Sequence, residues 1–159
     1  RAFVAMRLGG PPTDVHAMVL GSHGDLTVPL KSSITVRGKP VTAQLSAAEL
    51  DQILQRTKDG GAEIVKLLKQ GSAFYAPASG AVEMAAAILK NTHAVLPVCA
   101  WLEGEYGLRD VCIGVPAQLG AAGIEHIVEM PLTADERQAL TASARQVAEG
   151  IAGLAAVVK

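Results

Sequence analysis

Aromatic residues are scarce in this chain of 159 residues, which contains 2 Phe, 2 Tyr and 1 Trp. Half of the residues are nevertheless hydrophobic, so the core must be aliphatic and built from Ala, Val, Leu and Ile. The length is that of one ordinary globular domain. We therefore expect a single domain across residues 1–159.

Neither sign of charge is in excess, because 14 Lys and Arg stand against 15 Asp and Glu. Such a chain has no field that would gather phosphate backbones or anionic lipid. Its longest apolar runs also fall well short of the roughly 20 residues of a membrane-spanning helix, and no secretory h-region follows residue 1. We expect a soluble protein with no nucleic acid and no membrane among its partners.

Cysteine is nearly absent, since Cys99 and Cys112 are the only two. They form no CxxC pair, which argues against a structural zinc site and against a disulfide scaffold. Both lie in apolar, strand-like runs, where cysteine usually behaves as a small hydrophobe, so a Cys–His nucleophile pair is not expected. The sequence also lacks GxGxxG and GxxxxGK[ST], and GAAG at 120–123 is interpreted as a turn between strands.

The first half of the chain contains two strand patterns and two helix patterns. Residues 1–8 resemble the last turns of a helix already under way, which hints that the chain starts within a longer protein. Strands are predicted at 15–20 and 34–38 and should be neighbours. A helix then opens with the capping box Ser46–Glu49 and runs through the pair Gly60–Gly61, where close packing of another backbone or a kink is expected. Its apolar face comprises Leu50, Leu54, Thr57, Gly61, Ile64 and Leu68.

The second half begins with a helix that Pro77 can open. Strand-like runs follow at 93–104, 110–120 and 123–130, and their short connections predict a three-stranded antiparallel meander. A last helix opens at Thr133, which forms a second capping box with Glu136. Its apolar stripe comprises Leu140, Ala144, Val147, Ile151, Leu154 and Val158. The fold class is α+β, with antiparallel strands packed against long helices.

His23 is the one histidine whose setting suggests chemistry, because Ser22 and Gly24 leave its imidazole open on a loop at a strand end. Imidazole takes and returns a proton near neutral pH, as an alcohol–carbonyl interconversion requires. It could equally be a polar residue at a turn. Asp25 could orient the imidazole or could cap amides of its own loop, and both interpretations stay open.

The other histidines, His16, His93 and His126, are interpreted as partly buried or surface residues. A metal site is not expected, because His23 and Asp25 supply at most two ligands and no HExxH or HxxxH motif is present.

Four separated blocks resemble the carboxy-terminal domain of the NAD-dependent lactate/malate dehydrogenases, and most of all the bacterial malate dehydrogenases related to lactate dehydrogenase. They are VLGSHGDLTVPL (19–30), RTKDGGAEIVKLLKQGSAFYAPA (56–78), VLPVCAWLEGEYGLRDVCIGVPAQLG (95–120) and GIEHIVEMPLTADE (123–136). The resemblance runs from residue 1 to the final helix. It implies the fold of that domain.

The resemblance also implies an activity, the reversible oxidation of (S)-malate to oxaloacetate with NAD as cofactor. His23 matches the histidine of the family's GxHGD motif, which accepts and returns the hydroxyl proton. The family's orienting Asp lies in a segment whose last Arg aligns with Arg1, so Asp25 would support the loop instead. Ala73 and Pro77 would line the pocket near substrate and nicotinamide, although ordinary packing at a helix start remains the alternative.

The NAD-binding Rossmann half of the family is absent from these residues, so the chain alone should be inactive. Substrate choice depends largely on a loop of that half. Ser22, where lactate enzymes usually carry Glu, and the SAFYAPA segment favour malate, with L-lactate dehydrogenase as the alternative. The resemblance further implies a cytoplasmic homodimer or homotetramer. A hypothesis of another class is a noncatalytic oligomerisation module.

Overall fold

The computed structural model describes the backbone of residues 1–157 and the side chains of residues 1–154. The chain divides into two compact units, one made of Arg1–Met18 and Pro29–Ala73 and the other of Val19–Val28 and the chain from Phe74 onward. In chain order the helices are α1 (Ala2–Leu8), α2 (Ala47–Leu68), α3 (Tyr75–Leu89) and α4 (Ala134–Val157). The strands are β1 (Val15–His16), β2 (Val19–Gly21), β3 (Thr27–Pro29), β4 (Thr35–Val36), β5 (Lys39–Pro40), β6 (Ala94–Glu103), β7 (Arg109–Gly120) and β8 (Gly123–Ile127). Within residues 1–157 no helix combines the length and the apolar character that crossing a membrane requires.

The first unit contains a small antiparallel sheet in the order β1-β4-β5. Val15 lies opposite Val36, so the predicted pairing of the first two strand patterns is confirmed. The prediction of one continuous strand over 15–20 is wrong, because β4 offers only two residues for pairing and β1 ends at His16. The chain then continues as β2, which belongs to the other sheet.

Helix α2 is confirmed at its predicted start. The Ser46 hydroxyl accepts a hydrogen bond from the Glu49 amide, and the Glu49 carboxylate accepts one from the Ser46 amide at 3.0 Å. The helix also continues through Gly60 and Gly61 as predicted. The expected close packing there is not found among the described residues, since a Cβ on Gly60 would meet only the Phe3 ring at 3.8 Å and one on Gly61 would meet open space.

The apolar face predicted for α2 is buried only at its beginning. Leu50 is fully buried in an aliphatic cluster that includes Val4, Val15 and Val41. Towards the end of the helix, Ile64 and Leu68 are 39% and 44% exposed. The second half of this helix therefore presents apolar side chains on the surface of the unit.

The second unit contains a five-stranded sheet in the order β3-β2-β7-β6, with β8 also paired to β7. Strands β6, β7 and β8 are antiparallel in succession, so the predicted meander is confirmed. Gly120 lies opposite Gly123 across a two-residue turn, as interpreted from the sequence. Alternate residues of β6 are buried, and this face packs against Ala87 of α3.

The two helices of this unit also follow their sequence signals. Pro77 lies in the first turn of α3, where its missing amide costs no helical hydrogen bond. At α4, the Thr133 amide donates to Glu136 at 3.0 Å and the Glu136 amide donates to the Thr133 hydroxyl at 3.2 Å, which confirms the second capping box. Together the antiparallel sheets and long helices confirm the α+β prediction.

The apolar stripe predicted for α4 is buried at Leu140 and Ala144. Further along, Ile151 and Leu154 are exposed, and Val158 lies outside the described residues. As in α2, only the first half of the stripe contributes to the core of its unit.

The capping box of α2 predicts a pH dependence of stability. Hydrogen bonds from the Ser46 amide, the Ser46 hydroxyl and Arg7 lower the pKa of Glu49 from 4.5 to about 2. A carboxylate whose pKa is depressed by folding stabilises the protein above its unfolded pKa and loses that contribution as the pH falls towards its folded pKa. In the full-length protein, we expect Glu49→Gln to flatten the fall of unfolding free energy between about pH 4.5 and pH 2, measured by urea unfolding at each pH. Glu83→Gln, on an exposed carboxylate of α3, is the control, and an unchanged slope in Glu49→Gln would contradict the account.

Candidate active site

His23 lies on the loop between β2 and β3, within the second unit, and its side chain is exposed. This is the position at a strand end that the sequence predicts. The loop is short, and glycines in the left-handed region precede and follow the histidine, with φ of 89° at Gly21 and 90° at Gly24. The backbone therefore turns sharply on either side of the imidazole.

The loop begins where two backbones nearly touch. Gly21 of β2 lies opposite Gly114 of β7. A Cβ on Gly114 would lie 2.6 Å from the carbonyl oxygen of Gly21, and a Cβ on Gly21 would lie 2.7 Å from the carbonyl oxygen of Leu26. Both distances are shorter than any ordinary contact, so only glycine fits at either position.

Ser143 of helix α4 is fully buried and anchors the loop through hydrogen bonds. The amide of Ser22 donates to the Ser143 hydroxyl oxygen at 2.7 Å, and that hydroxyl donates to the hydroxyl oxygen of Ser22 at 3.2 Å. The Ser22 amide is partly buried, so this hydrogen bond replaces contacts with water that the amide has lost in part. The residue directly before the histidine is thus fixed to the core of the unit.

Thr27 closes the loop on its other side. Its hydroxyl donates to the Ser22 carbonyl at 2.9 Å, and its amide donates to the Gly24 carbonyl at 3.0 Å. The backbone groups around His23 are therefore anchored, whereas the imidazole itself projects to the surface. This arrangement suits a side chain that must hold one position and still meet a ligand.

His23 is among the residues that line two recesses of the second unit. The first, which we name the thiol cleft, has a volume of about 450 Å³ and is mostly apolar. It is lined by Val19, Leu20, Gly21, Ser22, His23, Thr27, Pro97, Cys99, Cys112, Ile113 and Gly114. The second recess measures about 400 Å³ and is lined by residues 22–26 together with Gln146 of α4. None of the described residues lining the thiol cleft is Asp, Glu, Lys or Arg.

The other residues singled out from the sequence, Asp25, Ala73 and Pro77, have three different surroundings. Asp25 is exposed and shares the second recess with His23. Pro77, on the surface of α3, lines neither recess. Ala73 is half-buried and is the last residue of the first unit. Within the second unit, Asp25 shares a recess with His23 and Pro77 does not.

The other three histidines are surface residues, within the range of the sequence interpretation. His93 pairs with Glu125 through Nδ1 and Oε2 at 2.8 Å. The hydrogen bond from His93, and then that from Gln118, lower the pKa of Glu125. Among residues 1–157, no three His, Cys, Asp or Glu side chains are grouped so that they could hold a metal ion.

Both cysteines lie in strands, as their apolar runs suggest, but neither is buried in the core. Both side chains are exposed, because they lie on the face of β6 and β7 opposite the buried alternation. Their Sγ atoms are 3.4 Å apart. Partial burial, together with the neighbouring Cys112 thiol, raises the pKa of Cys99.

An antiparallel sheet packed against helices, with an anchored loop that presents an exposed histidine at a strand end, defines an α+β domain. A family model described as the lactate/malate dehydrogenase alpha/beta C-terminal domain matches residues 1–157. The chain therefore belongs to the lactate/malate dehydrogenase family, as the resemblance of its sequence blocks predicts.

Named relatives agree with this assignment. The chain is 53% identical over 150 residues to a malate dehydrogenase of Nostoc punctiforme, covering 94% of this chain and 46% of the relative. The solved malate dehydrogenase of Salinibacter ruber superposes with a TM-score of 0.95 at 44% identity, covering 98% of this chain and 51% of that one. The lactate dehydrogenase of Eimeria maxima, solved with NADH and oxamate, superposes with a TM-score of 0.94 at 35% identity. The match covers 98% of this chain and 50% of that one. The chain spans about half the length of the relatives it matches.

Sequence reasoning missed Ser143, Gly114 and the paired thiols as parts of the histidine's surroundings. One sequence signal could have found Ser143, because it is a polar residue directly before Ala144, which belongs to the predicted apolar stripe. Gly114 carried none, because its requirement for glycine comes from a strand far away in sequence.

Because β2 and β7 approach closely at Gly114, a methyl group added there should destabilise the fold strongly. Overpacking a filled site usually costs about 1–3 kcal/mol, and the clash in Gly114→Ala is with backbone that cannot rotate away. In the full-length protein we expect Gly114→Ala to lower the unfolding free energy by at least about 2 kcal/mol, which thermal unfolding would measure.

Gly150→Ala is the matched control, since a Cβ on this glycine of α4 would meet nothing within 4 Å. Alanine is favoured over glycine in a helix by about 1 kcal/mol, so this variant should be at least as stable as the wild type. A Gly114→Ala protein as stable as Gly150→Ala would refute the steric account.

Proposed function

We propose that this chain is the substrate domain of a malate dehydrogenase that interconverts (S)-malate and oxaloacetate with NAD. The observation that carries the proposal is the exposed imidazole of His23 on a loop whose backbone is anchored at Ser22 and Thr27. The family membership of the chain supports this reaction type, and relatives named malate dehydrogenase at about half identity support the substrate.

His23 serves in this proposal as the proton acceptor. As the 2-hydroxyl group of malate becomes a carbonyl, a ring nitrogen of His23 takes the hydroxyl proton. In the reverse direction the protonated imidazole donates a hydrogen bond to the carbonyl oxygen of oxaloacetate and then returns the proton. The anchored loop keeps the imidazole in one place, which matters because proton transfer requires hydrogen-bond contact with the reacting oxygen.

NAD, when bound, supplies the acceptor for the two electrons that leave the carbon atom carrying the hydroxyl group. The apolar lining of the thiol cleft fits a site that excludes water around a reacting centre. The absence of Asp, Glu, Lys and Arg among its described lining residues also bears on the substrate. A dicarboxylate needs cations, so we infer that the groups that bind its carboxylates come from outside the cleft.

Malate is preferred over lactate as the substrate for two reasons. Ser22 stands where lactate enzymes of the family usually carry Glu, and the SAFYAPA segment at 72–78 resembles the malate type. The solved lactate dehydrogenases of similar fold keep L-lactate as the alternative substrate. We retain a pocket role for Ala73 and Pro77, and a cytoplasmic location, as parts of the same proposal.

The direct test is His23→Ala in the full-length protein that contains this chain. We expect the turnover number for malate oxidation to fall by about 10²–10⁴-fold, the usual contribution of a general acid–base residue, with NAD affinity unchanged by calorimetry. His16→Ala, which removes another exposed histidine, should leave turnover near the wild-type value. Turnover of His23→Ala near the wild-type value would rule out the assigned role.

The same preparation distinguishes the substrates. Initial rates with oxaloacetate and pyruvate should favour oxaloacetate, and a preference for pyruvate would assign the lactate dehydrogenase activity while leaving the role of His23 intact.

A second role, self-assembly, is favoured by the exposed end of α2. Ile64, Val65, Leu67 and Leu68 are 39–73% exposed and lie within the last five residues of this helix. Contiguous apolar surface of this kind often marks a protein interface. We propose that the full-length protein is a homodimer or homotetramer that uses this surface.

Sedimentation of the full-length protein tests the assembly. We expect Leu67→Glu to raise the dissociation constant of the oligomer at least tenfold, because an unpaired charge would be buried at the interface. Gln52→Glu adds the same charge at an exposed position on the same helix and should leave the mass unchanged. Identical sedimentation of Leu67→Glu and wild type would exclude this surface from the interface.

A further inference from the structure

Cys99 and Cys112 occupy neighbouring positions on one exposed face of the large sheet. Cys99 lies opposite Gly114, and Cys112 lies opposite Trp101, so the two cysteines are diagonal neighbours across β6 and β7. Diagonal partners on one face of an antiparallel pair have Cα atoms about 7–8 Å apart, so short side chains meet there only when they point towards each other. Here the two Sγ atoms are 3.4 Å apart, and both thiols are free.

We propose that Cys99 and Cys112 form a reversibly oxidisable thiol pair that closes to a disulfide in the wall of the thiol cleft. This inference does not depend on the proposed dehydrogenase activity, since it rests on the two thiols and the strands that carry them.

The geometry favours a bond between the two cysteines. A disulfide places its sulfur atoms about 2.05 Å apart, so the thiols need to approach by only about 1.4 Å. Gly114, directly opposite Cys99, has no side chain to obstruct the movement. The strands are paired continuously from Ala94 and Leu119 to Leu102 and Val111, and this ladder holds the thiols together whether or not they are bonded.

The pair is also open to a reagent, because both side chains are exposed and line the thiol cleft. Only a thiolate attacks a disulfide. The raised pKa of Cys99 therefore makes its reaction slower at neutral pH than at alkaline pH. Mildly alkaline solution is the condition in which the closure should be easiest to observe.

The oxidant is a low-molecular-weight disulfide such as oxidised glutathione. The thiolate of one cysteine attacks a sulfur of that disulfide, which breaks its S–S bond and releases one glutathione thiolate. The thiolate of the second cysteine then attacks the mixed disulfide, forms the Cys99–Cys112 bond and releases the second glutathione thiolate. The two protons lost by the cysteines end on the two released thiols, and the pair gives up two electrons.

The closed form would change the surroundings of His23. The disulfide would link β6 to β7 in the same wall of the cleft, one strand away from Gly21, where the histidine loop begins. We expect oxidation to alter access to the cleft while the paired strands stay in register.

The test is incubation of the full-length protein with oxidised glutathione at mildly alkaline pH, followed by peptide mapping by mass spectrometry. We expect the peptides containing Cys99 and Cys112 to be recovered as one linked species that has lost two hydrogen atoms and carries no glutathione. Dithiothreitol should restore both thiols to alkylation by iodoacetamide.

The single variants provide the matched controls. Cys99→Ser and Cys112→Ser each remove the thiol that would attack the mixed disulfide. In each variant the reaction should therefore stop at a stable glutathione adduct on the remaining cysteine. The proposal is overturned if the wild-type protein also accumulates glutathione adducts at these cysteines, or if both thiols remain alkylatable after incubation.

Discussion

The candidate site depends on the contact between the backbones of β2 and β7 at Gly21 and Gly114. This contact attaches a short strand to the long central one and sets the point at which the chain leaves the sheet. The loop carrying His23 starts from that point, and Ser143 fixes its first residue. A side chain at either glycine would separate the strands, so the position of the imidazole follows from two residues that contribute no chemistry.

Features governed by neighbours in sequence could be predicted. The start of α2 follows from Ser46 and Glu49, because a capping box is formed by residues three positions apart. The meander follows from short connections between apolar runs. The histidine loop was equally visible, since flanking small residues are local information. These elements account for most of the architecture and for the one side chain on which the proposed chemistry depends.

Features governed by distant partners could not be predicted. The run at 15–20 has the composition of one strand, but residues 15–16 pair with β4 of the small sheet and β2, from Val19, pairs with β7 of the large sheet. The cysteines lie in apolar runs, but register decides which face they occupy and that their thiols meet. At the glycine pair in α2, a Cβ would make only an ordinary contact with Phe3 from Gly60 and would meet nothing from Gly61. In each case the local pattern is compatible with several arrangements, and tertiary pairing selects one.

The hydrogen bond between Ser22 and Ser143 joins residues separated by 121 positions. A ribosome adds about 5–20 residues per second, so the serine in α4 is made several seconds after the histidine loop. During that interval the Ser22 amide has no protein partner from this helix, and the loop cannot adopt its anchored form. The loop that carries His23 can therefore reach its anchored form only after Ser143 of α4 has been synthesised.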